Sequence, residues 1–140
     1  MTSAGMARDY LHRARARRIA IDALFGAGGH ADVVRESQDL VELVLKGALR
    51  FVGIEPPKRH DVHATVEEFI GRFPLEWREM LADLRPTLDR LAADRAPAFY
   101  GDEAEGVPAS ELFGDEDARR AMTVADRLLG LYARLLGLER

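Results

Sequence analysis

The apolar residues of this chain recur with a period close to 3.6 residues almost throughout, and that regularity does most to limit its fold. Residues at i, i+3, i+4 and i+7 share a face only on a helix. A half-buried strand needs strict alternation, and no stretch here alternates convincingly. The clearest helix signal covers residues 31–52. Val34, Ser37, Val41, Val44, Ala48 and Val52 form one stripe. Arg35, Asp39, Glu42, Lys46 and Arg50 form another, about 180° away when each residue advances the helix by about 100°. Similar stripes predict a first helix over 6–25, with Tyr10, Ala14, Ile21, Leu24 and Phe25 inward. A short third helix is expected from Asp61, acting as its cap, with Val62, Val66, Phe69 and Ile70 inward. A fourth over 75–95 carries Trp77, Leu81, Leu84, Leu88 and Leu91, with Pro86 expected to kink or split it. The last begins near Asp115, with Glu116 and Asp117 at its positive end. Its inward stripe is Ala118, Ala121, Met122, Ala125, Leu128, Leu129, Tyr132, Leu135 and Leu136.

Between the stripes stand residues that stop helices. Gly26, Gly28 and Gly29 end the first, and Gly53 with Pro56-Pro57 ends the second. A loop rich in Gly, Pro and acids is expected over 97–114. Amphipathic helices on short connections bury their stripes against one another, so the expected fold is an all-α antiparallel bundle of four to five helices, one domain over 1–140. There is no internal repeat and no low-complexity tract.

Composition excludes several classes. An apolar share of 47% is that of a globular protein rather than a disordered one. The net charge of -4 provides no overall basic field for nucleic acid, leaving only a local patch. The absence of cysteine removes disulfides, thiolate metal sites and thiol nucleophiles together. No secretory signal and no membrane-spanning stretch stands out, so a cytoplasmic protein is expected.

The order Glu36-Ser37-Gln38-Asp39-Leu40-Val41-Glu42-Leu43-Val44-Leu45-Lys46-Gly47-Ala48-Leu49-Arg50, then Gly53-Ile54-Glu55-Pro56-Pro57 and His60-Asp61-Val62, resembles the signature of HEPN domains. In that family the second helix carries a Glu-x-x-x-Lys pattern, here Glu42 and Lys46. Phe99-Tyr100-Gly101-Asp102-Glu103 and the acidic start of the last helix resemble one prokaryotic branch. The resemblance implies a helical bundle that often dimerises. It also implies a frequent pairing with a small nucleotidyltransferase as toxin and antitoxin, or a role as a ribonuclease or an RNA- or nucleotide-binding module. The family's nuclease motif is an arginine followed, after four to six residues, by a histidine, and it is absent here. Arg8 and His12, like Arg59 and His63, stand too close; Lys58 and His63 have the gap but the wrong cation. Arg95 is followed at that distance by Tyr100, whose phenol, with an ordinary pKa of about 10, exchanges protons less readily near neutral pH than an imidazole.

The remaining candidates each have a plain reading and a functional one. The charged stripe with Glu42 and Lys46 is either a solvated ladder of i, i+4 pairs or the wall of a cleft or partner contact. Arg8, His12, Arg15 and Arg18 are a solvated basic face or a phosphate-binding patch. His60, Asp61 and His63 offer metal-ligand types without a further ligand at suitable spacing, so no metal is expected. Gly26-Ala27-Gly28-Gly29 follows a helix rather than a strand and reads as a turn. Arg90, Arg95, Tyr100 and Asp102 either form a binding lip at the acidic loop or belong to an ordinary connection. The reading that follows is a HEPN-type binding module with no cofactor, partner of a nucleotidyltransferase or handler of nucleotide or RNA. Its rival is a ribonuclease toxin using Arg95 and Tyr100. A homodimer is expected because leucines cover a wide arc of the last helix, with Leu131 and Leu138 as contacts off the inward stripe.

Overall fold

The computed structural model of the chain describes residues 3–139. Its elements run in order α1 (Ser3–Gly26), α2 (His30–Phe51), α3 (His63–Glu68), a 3-10 turn (Ile70–Arg72), α4 (Leu75–Tyr100), α5 (Ala109–Leu112) and α6 (Asp115–Leu136). The fold is an all-α bundle, as the period predicts, and the described residues contain no strand beyond an isolated bridge between Asp102 and Val107. No helix among them is long and apolar enough to cross a membrane.

At the centre stands α2, packed against α1, α6 and α4 at once. Its expected stripe is buried at Val34, Ser37, Val41, Val44 and Ala48, but so are Val33, Leu40, Leu45 and Leu49. Surrounded in this way, the helix has no fully solvated side. Of the two readings of the charged stripe, the solvated ladder does not hold: the stripe is half-buried, and the Glu42 side chain is only 14% exposed. On α1 the inward face is rotated from the predicted one. Ala7, Leu11, Ala14 and Ile21 are fully buried, whereas Tyr10, Leu24 and Phe25 are half-buried at its edge. The α1, α2 and α6 helices meet where Gly47 leaves room for Tyr132, whose buried hydroxyl donates to the Ala7 carbonyl.

Three local expectations change. Asp61 does not cap α3 with its side chain; its carboxylate pairs with Arg59 at 3.2 Å, while Val62 and Val66 are buried as expected. Pro86 does not split α4, which continues through both Pro86 and Pro97. Proline removes the donor for the carbonyl four residues back, here Ala82, and both residues face solvent, so water can take that bond. The stretch expected as a loop over 97–114 therefore begins with the last turn of α4 and also contains α5, which brings the count to six α-helices among the described residues. The chain reverses at Gly101, with φ of 77°. A side chain there would run into the Val107 carbonyl and lie 2.9 Å from the Ala109 nitrogen. Reciprocal bonds close the turn, Asp102 N to Val107 O at 2.8 Å and Val107 N to Asp102 O at 3.0 Å.

On α6 the acidic start behaves as predicted, Asp117 accepting from the Gly114 amide at 2.9 Å. Ala118, Ala121, Ala125, Leu128 and Tyr132 are buried. Leu131, expected on the outside as a dimer contact, is 2% exposed and belongs to the core, because α1 as well as α2 packs on this helix. Leu138, beyond the helix end, is 39% exposed.

Candidate functional site

The candidate residues are divided between two clefts on either side of the last turns of α4. In the first, the face of α2 with Asp39, Glu42 and Lys46 meets Tyr10, Arg13 and Arg17 of α1 and Arg95 of α4 around about 340 Å³ of space. Tyr10, Arg13 and Arg17 share a helical face because they are three and four residues apart. This is not the basic patch that charge counting picks out. Arg8 and His12 lie in solvent, while Arg15 donates to the Leu138 carbonyl at 2.7 Å. Arg18 faces α6, bonding Asp126 at 2.6 Å, and that bond is the main reason its guanidinium is held above its ordinary pKa.

Asp39 is the loosely paired charge of this cleft. Asp39 stands between two guanidinium groups, Arg35 Nε at 3.5 Å and Arg95 Nε at 3.6 Å. Both distances exceed ordinary hydrogen-bond length, and both Nε atoms are buried without an acceptor. Glu42 is better engaged: His60 Nδ1 lies 2.6 Å from its Oε1, with Lys46 Nζ at 3.7 Å. The guanidinium of Arg13 sits over the Tyr10 ring at 5.6 Å, and Arg17 reaches Glu36 at 3.0 Å. Four cations against two carboxylates line the cleft, giving it a formal charge of +2 in a protein of net charge -4.

A second cleft, of about 450 Å³, lies between the end of α4, the turn after it and α5. Arg90, Asp94 and Tyr100 wall it from α4, Asp102 and Glu103 from the turn, with Phe113 among the apolar residues beneath. Asp94 and Arg90 approach no closer than 3.7 Å. Burial pushes the Asp94 carboxyl above its ordinary pKa, Arg90 offsets part of this, and Asp117 adds to the rise. Asp102 accepts from the Glu105 amide at 3.1 Å, which holds the turn in shape.

Glu42, Lys46 and Arg95 thus converge in one cleft, and Arg90, Tyr100 and Asp102 in the other. Arg95 and Tyr100 do not meet. Five residues along a helix turn the side chain by about 140°, and each lines a different cleft. The histidines also separate. His60 turns to Glu42, its carbonyl accepting from Gln38 at 3.0 Å. His63, buried, lies 2.5 Å from Asp89. Among the described residues no group of three or more His, Cys, Asp or Glu is placed to hold a metal.

A family model described as the HEPN domain matches residues 7–135, from the first helix almost to the end of the last. The chain belongs to the HEPN family. No curated protein and no solved structure matches it. Membership places the chain, at the family level, among helical modules of nucleotide- and RNA-related systems. In this HEPN domain the Glu42–Lys46 pair lies inside the cation-rich cleft rather than on a solvated ladder. Tyr10, Arg13 and Arg17 were missed as site residues, although their spacing, in step with the Asp39–Glu42–Lys46 face, was visible. What pointed elsewhere was the density of arginines on the neighbouring face of α1.

Proposed function

We propose that this HEPN domain is a non-catalytic binding module whose first cleft takes a phosphate-bearing ligand, a nucleotide or a stretch of RNA. It would serve as the helical partner of a nucleotidyltransferase in a toxin–antitoxin-like system. The observation that carries the reading is the excess of cations, four against two carboxylates, in a half-buried cleft of an acidic protein. Partly desolvated guanidinium and ammonium groups are suited to phosphate oxygens, which accept charge-assisted and often bidentate bonds. The divergence of Arg95 and Tyr100 argues against their acting as a cleaving pair. The homodimer expected of the family remains part of the proposal, with Leu138 and not Leu131 at its contact.

Fluorescence polarisation with a labelled adenine nucleotide and a short single-stranded RNA tests the binding. Lys46→Ala and Arg95→Ala are each expected to weaken it about tenfold or more, as loss of one charge-assisted contact would. RNA affinity should fall steeply with added salt. Undiminished binding in both variants would sink the cleft assignment. The same RNA, incubated with pure protein, should remain intact. Cleavage that disappears in Arg95→Ala or Tyr100→Phe would establish the ribonuclease instead. The partner is tested by co-purification with the product of the neighbouring reading frame, expected to be a small nucleotidyltransferase.

A further inference from the structure

The second cleft differs from the first in charge, in size and in the kind of surface around it. Asp94, Asp102 and Glu103 stand against Arg90 alone, a formal charge of -2 around a partly apolar floor. Beside it Phe99 and Tyr100 are 57% and 63% exposed, and their rings meet edge to face at 4.7 Å. Two adjacent large aromatics on the surface are the kind of feature found at interfaces, where such rings supply contact area at small entropic cost. One of them already holds a cation: the Arg35 guanidinium sits over the Phe99 ring at 4.7 Å. The Tyr100 ring has no such occupant among the described residues.

We infer that this cleft is a docking pocket for a basic side chain, arginine or lysine, carried on an extended segment of a partner protein. The charged end of that side chain lies against Asp94 and Glu103, its stem or guanidinium plane against Tyr100, and its aliphatic part over Phe113. Charge complementarity decides the class of occupant, since a phosphate-bearing ligand would meet an anionic wall. Cation–aromatic contact adds to the pairing once both are partly desolvated. Asp94 contributes because Arg90, at 3.7 Å, leaves its half-buried carboxylate underpaired. The shape does not depend on the visitor: the reciprocal bonds of Asp102 with Val107 and the reversal at Gly101 hold the wall in place beforehand. This pocket is separate from the cation-rich cleft and stands or falls independently of it.

The test is an amide chemical-shift titration of the full chain with the peptide Gly-Gly-Arg-Gly-Gly, using Gly-Gly-Gln-Gly-Gly as the neutral control. Saturable shifts are expected at Tyr100, Gly101, Glu103 and Leu112 with the arginine peptide only. Tyr100→Ala combined with Glu103→Gln, both at exposed positions, should weaken binding about tenfold while circular dichroism stays unchanged. Asp94→Asn provides a second variant should the first fail to fold, and is expected to weaken binding in the same direction. No saturable shift, equal binding of the glutamine peptide, or undiminished affinity in a folded variant would overturn the proposal. So would an oligoribonucleotide that shifts these same amides.

Discussion

At position 47 the lack of a side chain lets Tyr132 reach across the bundle to the Ala7 carbonyl. A methyl group there would collide with the Tyr132 hydroxyl and stand 2.7 Å from its ring carbon Cζ, in a core with no space to yield. Gly47→Ala is therefore expected to destabilise the fold by about 3 kcal/mol, combining overpacking with a strained or lost hydrogen bond. Urea denaturation measures it. Tyr132→Phe alone should cost about 1 kcal/mol, and the double variant should lose less than the sum, because the phenylalanine relieves part of the clash. An additive result would mean the two residues do not compete for the same space. Leu131 makes a second case. It is 2% exposed, so Leu131→Glu places a carboxylate in the core and should abolish folding, read as loss of the helical circular dichroism signal. Leu138→Glu, at a position 39% exposed, should leave that signal intact.

At the scale of elements, the decisive fact is that α2 is surrounded. A helix with a charged stripe is normally read as having one solvated face; in a bundle with neighbours on three sides, part of that stripe becomes a cleft wall. In α4 the two prolines are tolerated because the carbonyls they leave without a donor, those of Ala82 and Ala93, belong to exposed residues that water can reach. Asp94 on the same helix gives a pH prediction. Burial raises its carboxyl in the folded state, so folding favours the protonated form. The stability this adds is present below the unfolded carboxylate value, about 3.9, and is lost as pH rises through the higher folded value. At neutral pH the ionised group therefore costs stability. Asp94→Asn should raise the melting temperature at pH 7, with the gain shrinking as pH falls into the carboxylate range. A variant less stable at pH 7 would show that the Arg90 pairing outweighs the desolvation.

For the whole molecule, the two clefts lie on either side of the α4 end with opposite charge, +2 and -2 by formal count of their lining residues. That arrangement suits a module that holds an anionic ligand on one side and a basic protein segment on the other. Light scattering is expected to show a homodimer, and Leu138→Glu should shift it toward monomer. A monomer in the unaltered protein would remove the dimer from the proposal.

Periodicity alone determined the all-α class, the positions of the long helices and much of the α2 and α6 cores, because a helical stripe is a local property repeated every few residues. The turn glycines at 28 and 53 were legible for the same reason. Within the site, Glu42 with Lys46, and Arg90 with Tyr100 and Asp102, group in the structure as their sequence patterns group them, but Arg95, read with the second set, lines the first cleft. Which of them share a cleft depends on the rotation and packing of α1 and α4 against α2, and those follow from contacts between residues distant in sequence. The rotation of α1 is why Arg13 and Arg17, rather than Arg8 and Arg18, face the cleft. The burial of Leu131 has the same origin, since α1 and α2 both press on α6. Tertiary structure decided these points because exposure is set by whatever covers a face, and a single helix's sequence records only which residues share that face.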